Sequence, residues 1–339
     1  MAEEMKGWLV PTPGKLVDNL VFKTDLPRPA ATSLTASDIL VRVVSAGINP
    51  ADYKVPEMGA LSRVAFRYPH TPGMDLSGEV VAVGAGVTDI LVGDHVLGRT
   101  DPLKAPGSLA EYIILPREGY AKLSRGADLD SAGAAGTAAL TAYQTIAPHV
   151  KPGDRVFING GSGGVGTYGI QIAKILGCSV TTSCSTGKVK LCEGLGADHI
   201  IDYTKESVVE ALKRDGPVYS LAVDNVGKAA MELYGASSGF LLPEGRHVVV
   251  AAGSPKQMAS LGVALVRPSF LGGGRNKLSS YLTYANHEHM VQLADWFSEG
   301  KLKTVVDSTY EFTDVPAAFE HLSKGSSAGK IVIHVSGKA

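Results

Sequence analysis

Apolar residues recur at helical spacing between Gly164 and Leu176, at Val165, Tyr168, Ile172, Ile175 and Leu176, and Gly177 ends the pattern. Strand-like runs flank it, Asp154-Arg155-Val156-Phe157 before and Ser179-Val180-Thr181-Thr182 after. A strand, turn, helix and second strand of this length form a βαβ unit. Further strand signals at His199 to Asp202, Leu221 to Asp224, His247 to Ala252 and Lys277 to Tyr284 alternate with helical ones, which predicts a doubly wound parallel sheet. Upstream, to about Asp128, the chain is rich in Val, Gly and Pro. Short alternating runs at Ile39 to Ser45, Gly78 to Gly84 and Leu109 to Leu115 predict a small β-rich, partly barrel-like domain there. A helical pattern from Ala132 to Ala147 separates the two regions. A helix from about His287 to Glu299 and a strand at Lys330 to Val335 close the chain.

The turn inside the βαβ unit is Ile158-Asn159-Gly160-Gly161-Ser162-Gly163-Gly164-Val165-Gly166. Gly161, Gly163 and Gly166 fit G-x-G-x-x-G, in which missing side chains allow a tight turn, close approach to a pyrophosphate and close helix packing. In a chain with 40 glycines such a match is weak alone, and its place between a strand and a helix is what gives it weight. A site for NAD usually carries Asp or Glu about 20 residues beyond the glycines. Here the stretch is Ser183-Cys184-Ser185-Thr186-Gly187-Lys188, without an acid. Its hydroxyls and ammonium suit a 2′-phosphate, which predicts NADPH; the bland alternative is a solvated loop with an incidental lysine.

Composition narrows the function classes. The 339 residues are 45% hydrophobic and 19% charged, with a formal net charge of −1 and no long run of either sign. Nothing points to nucleic acid or an anionic membrane as partner. No apolar stretch is long enough to span a bilayer, and the first residues do not read as a secretory leader, so the expected location is cytoplasmic. Cys178, Cys184 and Cys192 lack C-x-x-C spacing and are expected to be buried free thiols.

Several separated motifs agree in order across nearly the whole chain. They are Ala46-Gly47-Ile48-Asn49-Pro50-Ala51-Asp52, Pro72-Gly73-Met74-Asp75-Leu76-Ser77-Gly78-Glu79-Val80, Val92-Gly93-Asp94-His95-Val96 and Leu140-Thr141-Ala142-Tyr143. The series continues with the glycine turn, Leu195-Gly196-Ala197-Asp198, Ile201-Asp202-Tyr203, Val223-Asp224-Asn225-Val226-Gly227 and Gly329-Lys330-Ile331-Val332. As a set they resemble the zinc-independent, quinone-oxidoreductase-like branch of the medium-chain dehydrogenases/reductases. The start at Asn49 and the segment Glu299 to Asp307 look closest to chloroplast-envelope-type quinone oxidoreductases and alkenal/enone reductases.

The resemblance implies an α/β fold, a Rossmann doubly wound parallel sheet inserted into a β-rich, GroES-like catalytic domain. The expected domains are 1–127 and 285–339 for the catalytic part and 128–284 for the nucleotide-binding part, with the active site between them. It further implies that Gly161, Ser162, Gly163, Gly164, Val165 and Gly166 approach the pyrophosphate. Ser185, Lys188 and Tyr203 fall at the 2′-phosphate side, Thr141 at the nicotinamide end, Asn225 at the cofactor, and Lys330 at the cofactor or cleft; a surface lysine at a strand start is the other possibility for Lys330.

Zinc-dependent relatives carry a cysteine where Asn49 stands and a His-Glu pair where Met74-Asp75 stands. An amide and a thioether do not rebuild a Cys/His zinc site, and the nine histidines show no ligand grouping, so no metal is expected. Without a Lewis acid, conjugate reduction of an enone, enal, enoyl compound or quinone remains open, with hydrogen-bond donors stabilising the enolate. Candidate donors are Tyr53, Lys54 and Asn49; their bland roles are packing, surface exposure and fixing the turn before Pro50. Asp52 reads as a cap, and water is a further proton donor. Phe66, Tyr68, Phe270, Leu271 and Tyr281 are candidate apolar lining, and Gly272-Gly273-Gly274 beside Arg275 a candidate loop or phosphate contact. The chain is expected to be a monomer or a homodimer paired through Lys277 to Tyr284. Alternatives are an enoyl reductase acting in trans on a carrier-bound acyl or polyketide chain, and a non-catalytic NADPH-binding protein.

Overall fold

The structure, a computed structural model, describes residues 3–64, 67–101, 106–227, 230–250 and 276–336. It separates into two compact units, one running up to Leu140 and resuming at Tyr284, the other from Thr141 to Thr283.

The first unit opens with β1 (Glu4–Leu9) and β2 (Val21–Pro27), paired as a separate antiparallel ribbon. The main sheet starts with β3 (Ile39–Ile48), whose run of Ile, Leu and Val is buried almost throughout, as β-branched residues on a doubly covered strand favour. Antiparallel partners follow: β4 (Asp75–Val83) on β3, β5 (His95–Arg99) on β4, β6 (Tyr112–Leu115) on β3 and β7 (Tyr120–Lys122) on β5. Between β3 and β4 lies the short helix α1 (Pro50–Lys54), with Pro50 at its start, where a missing N–H costs nothing. Helices α2 (Leu129–Gly133) and α3 (Gly136–Ile146) follow β7. The division falls inside α3 because α2 is tied to the first unit: Ser77 Oγ donates to Leu129 O at 2.6 Å, and Thr304 N to Ser131 Oγ at 3.1 Å.

Among the described residues the second unit forms a six-stranded, wholly parallel sheet. Its strands are β8 (Arg155–Asn159), β9 (Ser179–Cys184), β10 (His199–Asp202), β11 (Tyr219–Asp224), β12 (Leu241–Val249) and β13 (Lys277–Ser280), in spatial order β10-β9-β8-β11-β12-β13. The order reverses between β8 and β11, the switch point at which α/β sheets bind ligands. Helices α4 (Gly164–Ile175), α5 (Val189–Gly194), α6 (Val208–Asp215) and α7 (Ala230–Gly235) cross over between strands. Successive residues of β8 face opposite ways. Val156 and Ile158 join one core with Ile170, Val180 and Val223, while Phe157 joins another with Tyr219 and Phe240.

The chain then returns to the first unit through α8 (His287–Ser298), β14 (Val306–Glu311), α9 (Val315–Ser323) and β15 (Lys330–His334). Strand β15 pairs antiparallel with β3 and parallel with β14, completing the order β14-β15-β3-β4-β5-β7. The α/β class and the insertion of the doubly wound sheet into a GroES-like domain are as the motifs imply. The strand expected at His247 to Ala252 begins earlier, at Leu241, and its last expected residues lie outside the described ones. Among the described residues no helix is long and apolar enough to cross a membrane.

Candidate active site

In the second unit β8 ends at Asn159 and the chain turns at Gly160, whose φ of 80° favours glycine. A side chain at Gly161 would put its Cβ 2.0 Å from Thr182 Oγ1, and one at Gly166 would lie 2.1 Å from Gly160 O, so both positions admit only glycine. Ser183 sets the turn: its Oγ accepts from Gly160 N at 2.9 Å and donates to Asn159 Oδ1 at 2.5 Å, and its carbonyl accepts from Gly161 N at 2.9 Å. Helix α4 starts after Gly163, leaving first-turn N–H groups without intrahelical acceptors, the arrangement that suits a pyrophosphate. Gly161 and Gly166 are buried, and Ser162, Gly163, Gly164 and Val165 are half-buried around this turn.

The rim beyond β9 is polar. Ser185 and Lys188 are half-buried, and among the described residues the Lys188 ammonium has no acceptor or ion-pair partner. Register pairs Asp202 of β10 with Cys184 of β9, and Tyr203 N donates to Cys184 O at 3.1 Å, which sets the exposed Tyr203 beside Ser185. No acid lies in sequence at the end of β9, but the neighbouring strand supplies one in space, Asp202. Hydrogen bonds from Thr186 and Thr204 hold its carboxyl well below the usual carboxylate range.

At the switch point Asp224 Oδ1 accepts from Asn159 Nδ2 (2.8 Å), Val226 N (3.0 Å) and Gly227 N (3.1 Å). Asn225 Oδ1 is buried with no hydrogen-bond partner among the described residues. His247 is fully buried and likewise unpartnered there; burial lowers its pKa to about 4 against the opposing pull of Asp224. Thr141 is buried, its hydroxyl against that of Thr283.

In the first unit the residues around Asn49 form a closed polar cluster that sequence spacing does not reveal. Lys330 is only 4% exposed, and its Nζ donates to Ile48 O at 3.1 Å, Asn49 Oδ1 at 2.5 Å and Asp75 Oδ2 at 3.4 Å. It is therefore not a surface lysine, and its three donors are committed within this unit rather than left for a cofactor. Asn49 Nδ2 donates to Asp75 Oδ2 at 2.9 Å, and Thr137 N to Asp75 Oδ1 at 2.6 Å. Asn49 thus faces inward, both ends of its amide engaged.

Asp52 accepts from Asn49 N at 2.7 Å, as a helix cap does, and burial pushes its carboxyl up to about 7, with Asp75 adding to the rise. Arg99, buried beside the cluster, is lowered by the same desolvation against the pull of Asp75. Tyr53 packs half-buried on the core with its phenol pKa raised, first by burial and then by Glu57, while Lys54 is exposed. Neither has a side-chain hydrogen bond among the described residues.

Of the lining candidates, Tyr68 OH bonds Ser62 Oγ at 2.7 Å and Tyr281 OH donates to Gln144 Oε1 at 2.9 Å. Phe66, Phe270, Leu271, Gly272 to Gly274 and Arg275 lie outside the described residues. The three cysteines are buried and free, and burial pushes Cys192 up to about 12 and Cys178 to about 11, far from a reactive thiolate. Among the described residues no group of three His, Cys, Asp or Glu is arranged to hold a metal.

Comparison with known proteins matches residues 35–125 to the family described as alcohol dehydrogenase GroES-like domain and residues 195–333 to that described as zinc-binding dehydrogenase. The chain is 40% identical to a trans-enoyl reductase of Aspergillus terreus, over 98% of this chain and 96% of that protein. It is 32% identical to a 2-methylene-furan-3-one reductase of Solanum lycopersicum, over 98% and 79%. Its fold superposes with a TM-score of 0.83 on the quinone oxidoreductase from Coxiella burnetii, 27% identical, covering 98% of this chain and all of that one.

Proposed function

The chain belongs to the quinone-oxidoreductase-like branch of the medium-chain dehydrogenase/reductase family, and on that footing we propose that it reduces activated C=C bonds of α,β-unsaturated carbonyls, or quinones, with NADPH and without zinc. The observation that carries this reading is the Lys330 ammonium beneath α1. It fills the acceptors of Ile48, Asn49 and Asp75 with a cation already, and Asn49 and Asp75 stand where zinc-dependent relatives place metal ligands. A dication there would face an adjacent ammonium and an amide and a thioether in place of thiolate and imidazole.

Polarisation of the substrate then falls to hydrogen-bond donors. Conjugate reduction suits them, because charge entering at the β-carbon spreads to a distant oxygen. Bound NADPH supplies the hydride equivalent. The glycine turn and the first turn of α4 take the pyrophosphate, Lys188, Ser185 and Tyr203 the 2′-phosphate, and Thr141 and Asn225 the nicotinamide side. Tyr53 and Lys54 are the groups with donors to offer the developing oxyanion, and the α-carbon takes its proton from one of them or from water. Asn49 positions α1 rather than touching substrate. The work is placed in the cytoplasm, by a monomer or a homodimer.

The test is an NADPH-oxidation screen over enals, enones, quinones and enoyl thioesters, followed by product analysis with deuterated NADPH. Label on the β-carbon of an enone, with turnover unchanged by chelator, is expected. Label on a carbinol carbon would make the chain a carbonyl reductase and end this proposal. The 40% identity to a trans-enoyl reductase favours a second reading, a carrier-bound enoyl chain as substrate. Reaction of the carrier-bound thioester with none of its free counterpart would establish that version.

A further inference from the structure

Asp202 stands where the NADPH assignment needs no acid, and its surroundings explain how the two are compatible. Strand register puts it beside Cys184, one residue before Ser185, at the edge where the adenosine ribose is placed. Its oxygens are fully occupied. Oδ2 accepts from Thr186 Oγ1 at 2.5 Å and pairs with Lys205 Nζ at 3.2 Å. Oδ1 accepts from Thr204 Oγ1 at 2.6 Å and Thr204 N at 3.1 Å. A carboxylate offers about four lone-pair sites. An acid that selects NADH must accept from the ribose hydroxyls, and this one has no site left with which to do so.

We propose that Thr186, with Thr204 and Lys205, sets cofactor choice by withdrawing Asp202: the acid that would recognise an unphosphorylated ribose is present, saturated by its own neighbours and paired with a cation, so that Lys188 meets a 2′-phosphate unopposed. Thr186, Thr204 and Lys205 are then specificity-determining residues rather than contacts to the cofactor. The inference rests on the NADPH assignment above. It adds that the preference is held by a hydrogen-bonded restraint and is reversible by removing it.

The experiment measures dissociation constants for NADPH and NADH by fluorescence titration of the full chain, without turnover. Thr186→Val, which keeps the shape and deletes the donor, is expected to tighten NADH roughly tenfold and to weaken NADPH by a similar factor, as a freed carboxylate gains ribose hydroxyls and repels phosphate. Thr186→Ser restores the donor and is expected to keep the wild-type ratio. Lys205→Ala, at an exposed site that leaves folding untouched, is expected to move the ratio the same way by about threefold. The decisive arm is Thr186→Val on an Asp202→Asn background, where the ratio should no longer move, because the carboxylate whose release matters is gone. Equal weakening of both cofactors by Thr186→Val, or a ratio change that persists with Asp202→Asn, would overturn the proposal and leave Thr186 as a prop for the turn. Failure of the underlying assignment has its own signature, a wild-type chain that binds NADH as tightly as NADPH.

Discussion

Lys330 in the first unit and Lys188 in the second carry the same charge into opposite surroundings. Lys330 is enclosed by three acceptors from β3, α1's cap and β4, whereas the Lys188 side chain meets no acceptor among the described residues. The carboxylates divide differently: Asp75 is engaged at both oxygens and deeply buried, and Asp202 is equally engaged but at the rim of its sheet. A charge whose partners are all internal fixes geometry, and a charge left open is available to a ligand. Each unit thus carries its own arrangement, an internally paired polar floor under α1 in the first and an open cationic rim beyond β9 in the second.

The contrast is broken most severely at Lys330. Lys330→Met removes the ammonium in contact with the buried Asp75 carboxylate, leaving only Arg99 near it, and is expected to cost about 3–5 kcal/mol in urea unfolding. Adding Asp75→Asn should recover part of that loss; a single-variant cost below about 1 kcal/mol would mean that the cluster does not hold the floor. Lys54→Met tests whether an open cation of the first unit serves chemistry. Turnover should fall roughly 10²-fold with NADPH affinity unchanged, the typical cost of one oxyanion donor, and an unchanged rate would return Lys54 to the surface. At the other rim, Lys188→Ala should weaken NADPH by about tenfold or more and leave NADH nearly unaffected, as loss of a charge-assisted contact predicts.

The remaining effects are on pH dependence, spread over several pH units, and they carry opposite signs. Asp52 holds its proton more tightly folded than unfolded, so its contribution is fully present in acid and is lost as pH rises through about 7. His247, with its pKa lowered to about 4, contributes above the ordinary histidine range and loses that contribution as pH falls through about 4. Relative to wild type, Asp52→Asn should therefore gain stability as pH rises from 4 to 8, and His247→Phe should gain it as pH falls from 7 to 4. Each slope should reach at most about 1.4 kcal/mol per pH unit, read by urea midpoints across pH. Parallel profiles for wild type and both variants would show that neither buried group titrates as its surroundings dictate.

What the sequence made legible follows from the range of the signal. The βαβ unit, the glycine turn and the alternation behind it are local patterns, and the elements appear with boundaries shifted by a few residues. Strands β2 and β14 are mostly exposed or half-buried, so they carry little alternation to read. Lys330 illustrates a longer-range limit. A lysine opening a strand ordinarily extends toward water, and its partners lie 255 to 282 residues away. Asp202 shows the same limit at shorter range: the absence of an acid after β9 is correct along the chain, but strand pairing brings one from β10 to the same edge. The motif Ile201-Asp202-Tyr203 held that information only for a reader who already knew which strands were neighbours.

The return of the chain to complete the first sheet sets an order of events during synthesis. Strand β15 covers Ser45 to Ile48 of β3, and Lys330 supplies the cation for Asp75 and the donor for Asn49. At ordinary elongation rates the ribosome needs on the order of tens of seconds to travel from Ile48 to Lys330. Throughout that interval, while the second unit is being synthesised, the nascent first unit carries an open strand edge and a carboxylate that lacks its lysine partner. A chain halted before residue 330 would keep both defects permanently, and its exposed β3 edge would be the place where another chain, or a chaperone, takes hold.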